Sequence, residues 1–174
     1  MKIFKTKFKN LKIIKSPIFK DNRGYFKELI IEKDINERFP FKVMSFSKKN
    51  VLRGMHLQSK NSQGKYISVI KGSILDVVID LRKKSKTFLK IFSVILSEKN
   101  AKSIFIPEGF AHGFYTLSKE NYIVYSCTKY RSKNHEITIK WDDPKIKRIW
   151  PIKKPILSPK DEKGIFLKEF FKKN

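Results

Sequence analysis

Short apolar segments separated by turn residues dominate the chain between Val43 and Trp141, and they are the strongest constraint on its fold. These segments are rich in β-branched and aromatic residues, and hardly any of them shows helical periodicity. A series of short strands of this kind is typical of an antiparallel sandwich or barrel. The 174 residues contain no linker and no repeat, so we expect one domain over 1–174, large enough to bury a core.

Local signals make this prediction more specific. Lys71-Gly72 separates two apolar segments, Lys65–Ile70 and Ser73–Asp80, and this pattern predicts a β-hairpin. The dense run Val77-Val78-Ile79 predicts a central strand. Further predictions are a turn at Asp21–Gly24, a strand over Tyr25–Ile31, a short helix or turn over Asp34–Phe39, and a helical tail over Gly164–Lys173.

The charge of the chain is strongly positive, at +24. Of its 40 basic residues, 34 are Lys and 6 are Arg, and the lysines are scattered along the whole sequence. Nucleic-acid-binding domains concentrate basic residues on one face and use Arg for bidentate contacts. We therefore expect a solvated lysine-rich surface and no nucleic-acid partner, although the positive field would attract anionic ligands such as diphosphates.

Few features of the sequence indicate the cellular compartment of the protein. Cys127 is the single cysteine, so no intrachain disulfide can form, which suits a reducing cytoplasm. Lysines interrupt every apolar pair in Met1–Lys15, and this pattern does not predict a secretory signal. No apolar run approaches the roughly 18 residues of a membrane span, so we expect a cytoplasmic protein without membrane contact.

Two stretches place a histidine near glycine within an apolar run: 51–58, VLRGMHLQ, and 107–114, PEGFAHGF. They hold two of the three histidines, His56 and His112. Each stretch could be a strand end with a buried histidine, but two matched stretches favour a site. The two histidines and Glu108 could form a facial metal triad. The chain has no H-x-H pair and no carboxylate beside His56, so we expect no metal.

Proton transfer is the alternative chemistry for these residues. Histidine is suited to act as a base near neutral pH, and a carboxylate that orients the ring assists it. Asp161 lies on a proline-punctuated arm long enough to fold back, Tyr125 could act as an acid, and Lys65 could stabilise an oxyanion. From the residues alone, Tyr125 could equally be a packed strand residue and Lys65 a surface charge.

Longer motifs give this chain a resemblance to a known family. They cover roughly residues 16–162 in the family's order and read DNRGYFKE, NVLRGMHLQ, QGKYISVIKGSILDVVIDLRKKSKTF, LSEKNAKSIFIPEGFAHGFYTLS, VYSCTKY, WDDPKIKRIWP and LSPKD. In these motifs the chain resembles the dTDP-4-dehydrorhamnose 3,5-epimerases. The resemblance implies an all-β cupin-type jelly roll with a short C-terminal helical tail.

The resemblance also implies roles for individual residues. His56 corresponds to the base, Asp161 to its carboxylate partner, and Tyr125 to the acid on the opposite face of the sugar. Lys65 corresponds to the lysine near the C4 oxygen. The implied substrate-binding residues are Arg53 near the phosphates, His112, Gln58 and Tyr130 in the pocket, and Arg23 and Glu28, which reach the neighbouring subunit's site in a homodimer.

The implied reaction inverts C3 and C5 of dTDP-4-keto-6-deoxyglucose to give dTDP-4-dehydrorhamnose, without a cofactor. Two stretches depart from the family pattern: the segment Val43–Ser47 is shorter, and Tyr130-Arg131 stands where two adjacent tyrosines are common. The alternatives are an epimerase that acts at one centre or on another 4-keto nucleotide sugar, a metal-dependent cupin enzyme, and a basic nucleic-acid-binding β-domain.

Overall fold

The computed structural model describes residues 1–173, which form strands with a few short helices. The strands are β1 Lys2–Lys5, β2 Lys12–Lys15, β3 Ile18–Asp21, β4 Gly24–Lys27, β5 Phe41–Lys48, β6 Leu52–Gln58, β7 Lys65–Lys71, β8 Ser73–Asp80, β9 Ile91–Ser97, β10 Lys102–Ile106, β11 Phe110–Thr116, β12 Glu120–Cys127 and β13 Glu136–Thr138. The α-helices are α1 Glu32–Ile35, α2 Pro159–Glu162 and α3 Leu167–Lys173, and 3₁₀ turns occur at Lys133–His135 and Lys147–Ile149.

Two antiparallel sheets form the body of the protein. One has the order β1-β2-β10-β7-β12-β5 and the other β13-β6-β11-β8-β9, while β3 and β4 pair only with each other. The antiparallel all-β architecture and the helical tail predicted from the sequence are therefore confirmed. None of the helices in residues 1–173 combines the length and the apolar character that a membrane crossing requires.

The predicted hairpin between β7 and β8 is wrong, because the two strands lie in different sheets. β7 pairs with β10 and β12, whereas β8 pairs with β11 and β9. Gly72 makes this crossing possible: its φ is +88°, and a Cβ there would overlap the backbone oxygen of Glu120. A Lys-Gly dipeptide between two apolar strands serves a hairpin and a change of sheet equally well, so the local sequence does not separate them.

The segment after the Asp21–Gly24 turn also differs from its prediction. The turn is present, but the following strand ends at Lys27 instead of Ile31, and α1 begins at Glu32. The β3–β4 hairpin stands outside both main sheets, and its aromatic residues are exposed. Without a sheet to pair with beyond Lys27, the apolar residues of 28–31 do not continue as a strand.

The core has two main layers, and β8 contributes to both. Val78 packs into the cluster between the sheets with Ile67, Ile123 and Phe114. Val77 and Ile79, one residue to either side, face a second cluster that includes Trp150 from the C-terminal arm. Burial of each such side chain is worth about 1.5–3 kcal/mol, so covering both faces explains the β-branched run without polar alternation.

Two glycines allow β6 and β11 to approach closely. The strands pair at His56↔His112 and at Arg53↔Phe114, so three steps along β6 match two along β11, as in a β-bulge. A Cβ on Gly54, whose φ is +124°, would lie 2.5 Å from the Cα atom of Gly113. A Cβ on Gly113 would lie 2.7 Å from the sulfur of Met55. The glycine near each histidine is thus required by the packing of these strands.

We expect Gly54→Ala to lower the free energy of unfolding by about 3–5 kcal/mol, because the new methyl group adds a backbone clash to an unfavourable φ. Gly24→Ala is the control, since Gly24 has a φ of +138° but no atom within 4 Å of its Cβ position. We expect it to lose only about 1–2 kcal/mol from backbone strain. Urea denaturation at 25 °C measures both, and equal losses would show that the close approach is unimportant.

Candidate active site

A pocket of about 440 Å³ opens between the two sheets and contains most of the predicted site residues. The five-stranded sheet contributes Arg53, His56 and His112 from β6 and β11. The six-stranded sheet contributes Lys65 and Tyr125 from β7 and β12, and the C-terminal arm contributes Asp161. The separated stretches of the sequence therefore meet in one cavity.

A larger cleft, of about 760 Å³, lies elsewhere, between residues 5–12 and 82–87. Exposed lysines line much of it, and Arg82 in its wall is already held by both carboxylate oxygens of Asp80. Because this cleft contains no histidine and no free carboxylate, we place the chemistry in the smaller pocket.

His56 and Asp161 form a hydrogen-bonded pair, with 2.5 Å between His56 Nε2 and Asp161 Oδ1. The other carboxylate oxygen accepts a hydrogen bond from the Ser158 hydroxyl at 2.9 Å, and Ser158 also caps α2. Asp161 is buried, whereas the His56 side chain is 36% exposed and faces the pocket. Asp161 thus orients a histidine that a ligand can reach. The C-terminal arm folds back over the sheet, as predicted, and so brings Asp161 to His56.

A second histidine–aspartate pair lies behind the first. His112 Nε2 is 2.8 Å from Asp76 Oδ2, and both side chains are buried. His112 and His56 are cross-strand partners, so the two histidines are neighbours on one sheet. Our reading of the sequence missed Asp76, although an acidic residue within the otherwise apolar run Ile74–Ile79 was a usable signal, because a buried carboxylate requires a partner.

Tyr125 faces the pocket from the opposite sheet. Its hydroxyl shares a hydrogen bond of 3.2 Å with the Ser45 hydroxyl of β5, and its ring packs near Phe114, 6.4 Å between centroids. Burial raises the pKa of Tyr125 well above its ordinary value, so the phenol keeps its proton at neutral pH. Ser45, which the sequence did not single out, thus fixes a proton donor on this wall.

Lys65 begins β7 and lies across from Cys127 of β12. Burial lowers the pKa of Lys65, while the neighbouring Cys127 and Glu136 act in the opposite direction. Burial also raises the pKa of the Cys127 thiol, which favours its neutral form. Cys127 and Glu136 both line the pocket and were not predicted as site residues.

Arg53 and Gln58 line the pocket, but in different ways. Arg53 donates to the Ser47 hydroxyl at 3.0 Å and to the Phe46 carbonyl at 3.1 Å, which leaves part of its guanidinium for a ligand. Gln58 is buried and donates to the Asn61 carbonyl, while its own oxygen accepts from the backbone of Ser132. Its contacts in this structure therefore hold loops at the pocket wall.

Three predicted residues lie outside the pocket. Tyr130 is 68% exposed and packs on Phe41 at the surface, with 5.9 Å between ring centroids. Arg23 is exposed on the β3–β4 hairpin and pairs with Asp21 at 2.7 Å. Glu28 follows the same hairpin. A single copy of the chain does not bring Arg23 and Glu28 to its own His56.

The metal triad considered from the sequence does not form. Glu108 pairs with Lys129 at 2.8 Å and is not part of the pocket lining that contains the histidines. Within residues 1–173 no group of three His, Cys, Asp or Glu side chains lies close enough together to hold a metal ion. His135 bonds to Ser132 through Nδ1 and is also outside the pocket.

The sequence and the fold were compared with known proteins. A family model described as dTDP-4-dehydrorhamnose 3,5-epimerase matches residues 5–169. A protein of that name from Methanothermobacter thermautotrophicus is 40% identical over 176 residues, which cover 97% of this chain and 95% of the relative. Another, from Neisseria gonorrhoeae, is 41% identical over 94% of this chain, and the chain spans 52% of that relative's length.

A solved structure from Legionella pneumophila has the same fold with a TM-score of 0.90. It is a dTDP-6-deoxy-D-glucose-3,5-epimerase in complex with dTDP-4-keto-L-rhamnose, and it is 40% identical to this chain. The match covers 96% of this chain and 93% of the Legionella chain. The likeness extends over nearly the whole chain, so the predicted cupin-type fold is confirmed.

Proposed function

We propose which residues catalyse the reaction of this chain, which belongs to the dTDP-4-dehydrorhamnose 3,5-epimerase family and has the isomerase activity for which that family is named. The proposed residues are His56, Asp161, Tyr125 and Lys65. One observation supports this assignment above the others. His56, which is paired with Asp161 of the C-terminal arm, and the Tyr125 hydroxyl enter one pocket from opposite sheets. Epimerisation requires a base and an acid on opposite faces of a sugar ring.

The substrate that we propose is dTDP-4-keto-6-deoxyglucose. The Legionella relative was solved with dTDP-4-keto-L-rhamnose, which supports a dTDP-linked 4-keto sugar as the ligand class here. The net charge of +24 favours approach of a diphosphate, and Arg53 in the pocket wall has guanidinium hydrogens left to bind one.

Proton removal is the first step in this scheme. The C4 carbonyl acidifies the hydrogens on C3 and C5, and the neutral imidazole of His56 takes one of them. Asp161 stabilises the imidazolium that forms and prevents the ring from turning away. The electron pair of the broken C–H bond becomes an enolate, whose negative charge rests on the C4 oxygen.

The enolate then needs a cation on one side and a proton from the other. The Lys65 ammonium in the same pocket stabilises the C4 oxygen as negative charge develops. The Tyr125 phenol, which stays protonated because burial raises its pKa, gives its proton to the opposite face of the carbon. Before the second inversion, His56 releases its proton to solvent and Tyr125 takes one up from solvent. Repetition at the second carbon then yields dTDP-4-dehydrorhamnose, and the scheme requires no redox cofactor and no metal.

We also propose a homodimer, in which Arg23 and Glu28 contribute to the neighbouring subunit's pocket. The β3–β4 hairpin that carries Arg23 stands apart from both sheets, with Tyr25 and Phe26 more than 60% exposed. β5 is an edge strand with an exposed Met44, and its residues also line the pocket. Exposed aromatic groups on a separate hairpin are well suited to contact a second copy.

The compartment that we propose is the cytoplasm. Cys127 is a free, buried thiol, and a protein whose only cysteine is unpaired has no requirement for an oxidising environment. Fractionation of cells that express the enzyme, with activity as the readout, tests this assignment.

We expect His56→Ala to lower kcat by roughly 10²- to 10⁴-fold, the usual effect of losing a general base. The neighbouring glycines and Arg53 are unchanged, so near-native far-UV circular dichroism is expected. His135→Ala is the matched control, because His135 lies outside the pocket, and it should keep wild-type turnover. A folded His56→Ala enzyme with near wild-type activity would refute the mechanism.

Tyr125→Phe should separate the two half-reactions. His56 can still remove protons, so we expect exchange of substrate hydrogen in D₂O to continue while little doubly inverted product forms. Lys65→Met removes stabilisation of the enolate itself, so exchange and product should fall together. NMR of deuterium at C3 and C5 measures both variants, and a silent Tyr125→Phe would identify the ring as packing only.

The same spectra test the runner-up function, a single-centre epimerase. Arg131 stands where the family commonly has a second tyrosine. This chain therefore has one tyrosine fewer that could place a phenol in the pocket. Deuterium at both C3 and C5 of the wild-type product supports the 3,5-epimerase, whereas deuterium at one carbon alone supports the runner-up.

Arg23→Ala should raise KM by about tenfold, the effect of losing one charge-assisted hydrogen bond to substrate, and should change kcat and stability little. Lys20→Ala, on the same exposed hairpin, is the control for general loss of charge. Sedimentation velocity at micromolar concentration should find a dimer. A fully active monomer would overturn both the dimer and the shared site.

A further inference from the structure

Three charged side chains at the mouth of the pocket form one network around Glu136. Arg131 donates to both carboxylate oxygens, from Nε at 2.6 Å and from Nη2 at 2.9 Å. Lys160 donates from Nζ to Oε2 at 2.5 Å. The Glu136 side chain is only 18% exposed, whereas Arg131 and Lys160 are nearly half exposed. One carboxylate therefore takes three charge-assisted hydrogen bonds.

This network joins three separate segments of the pocket rim. Arg131 follows β12, Glu136 begins β13, and Lys160 lies in α2 beside Asp161. All three side chains line the pocket. Glu136 pairs across the sheet with Gln58, two residues along β6 from His56. The network thus lies next to the histidine that we propose as the base.

The position of α2 explains why such a connection is needed. The helix has only four residues, and backbone hydrogen bonds hold the chain on either side of it, at Ile156 and at Ile165. The helix itself reaches the site through two side-chain contacts, Asp161 with His56 and Lys160 with Glu136. Since Lys160 and Asp161 are adjacent, a shift of one displaces the other.

We propose that Glu136 is a positioning residue of this epimerase, which holds α2 so that Asp161 aligns His56, and which adds a negative charge to the pocket that contains the Lys65 ammonium. The inference rests on the proposed roles of His56, Asp161 and Lys65. It adds a residue that would not touch the sugar but would set the geometry and the charge of groups that do.

The electrostatic part concerns the charge state of Lys65. Burial lowers the pKa of Lys65, and Cys127 and Glu136 raise it. Burial raises the pKa of Cys127 and so favours its neutral thiol, and Glu136 is the carboxylate of the pocket that favours the ammonium form of Lys65. The pocket also contains the cations Arg53, Arg131 and Lys160, and its other titratable groups are His56, His112, Tyr125 and Asp161.

The expected effects on stability and on rate distinguish this positioning role from a merely structural one. Ion pairs whose cations are half exposed contribute little to the free energy of unfolding. By contrast, a misplacement of about 1 Å in a catalytic group can cost about a hundredfold in rate. A positioning role for Glu136 should therefore be visible in turnover and in its pH dependence much more than in thermal stability.

The central test is Glu136→Gln, which keeps the shape of the side chain and removes its charge. We expect kcat to fall roughly tenfold to hundredfold, with KM within about twofold of wild type, because alignment is lost and binding is not. Without Glu136, less opposes the effect of burial on Lys65. The alkaline limb of the kcat profile, where the ammonium form disappears, should therefore move to lower pH.

Two variants at Lys160 separate alignment from charge. Lys160→Gln should lower kcat without moving the alkaline limb to lower pH, because Glu136 keeps its charge. Lys160→Arg still donates to Glu136 and should restore turnover. Glu120→Gln is the control for loss of an ion pair: Glu120 binds Lys71 at 2.7 Å, and neither residue lines the pocket. It should leave kcat and the pH profile unchanged.

Urea denaturation at a series of pH values tests whether Glu136 is paired in the folded enzyme. The Arg131 guanidinium, and then Lys160, outweigh burial and hold the pKa of Glu136 at about 2, below its ordinary 4.5. A depressed pKa stabilises the fold above pH 4.5, and this stabilisation disappears as the pH falls from 4.5 towards 2. Its size is small, because solvent screens ion pairs whose cations are half exposed. Glu136→Gln should lack that part of the acid transition.

The outcomes distinguish this inference from the proposed function. If His56→Ala is inactive while Glu136→Gln keeps wild-type kcat and an unmoved alkaline limb, the positioning role is wrong and the mechanism stands. If Glu136→Gln loses thermal stability and turnover together, with no movement of the limb, its role is structural and the inference is overturned. An active His56→Ala enzyme would instead refute the mechanism itself.

Discussion

The close pairing of β6 with β11 is the contact on which the rest of the pocket depends. Gly54 and Gly113 let the two backbones approach to a distance that no side chain would allow, and the pairing there takes the form of a bulge. His56, two residues after Gly54, and His112, one residue before Gly113, lie opposite each other on these strands. A bulge redirects the side chains next to it, so the close approach at the two glycines helps to set the direction of both histidine side chains.

Buried carboxylates show how this site differs from the rest of the fold. Asp80, at the end of β8, is fully buried, and both of its oxygens receive hydrogen bonds, from Arg82, Ser85 and Thr87. Asp76, four residues earlier on the same strand, bonds His112 through one oxygen while Oδ1 has no partner in the described part of the chain. Asp80 fixes a loop, whereas Asp76 is held mainly by a histidine of the pocket. The less completely satisfied group is the one at the site.

The two walls of the pocket divide the chemistry between them. One sheet carries both histidines on a rigid pair of neighbouring strands, and the other carries Tyr125 and Lys65 on strands that are buried in the core at their inner faces. Asp161 comes from neither sheet, and its short helix depends on side-chain contacts with the wall it serves. Precision on the walls therefore follows from strand pairing, while precision at Asp161 depends on polar contacts that mutation or pH can disturb.

What the sequence determined by itself was local. Short apolar segments and turn residues predicted the antiparallel strands, the run Val77–Ile79 predicted a central strand, and two histidine–glycine stretches identified where a site could lie. The family resemblance supplied the pairing of His56 with Asp161, 105 residues apart. The tertiary structure decided what depends on distant neighbours. It sent β7 and β8 to different sheets through a Lys-Gly step that also fits a hairpin, because the strands that pair with each of them come from distant parts of the sequence. It also decided the contacts of Asp76, Ser45 and Glu136, because the partner of a polar residue in a strand is known only once the strands are assembled.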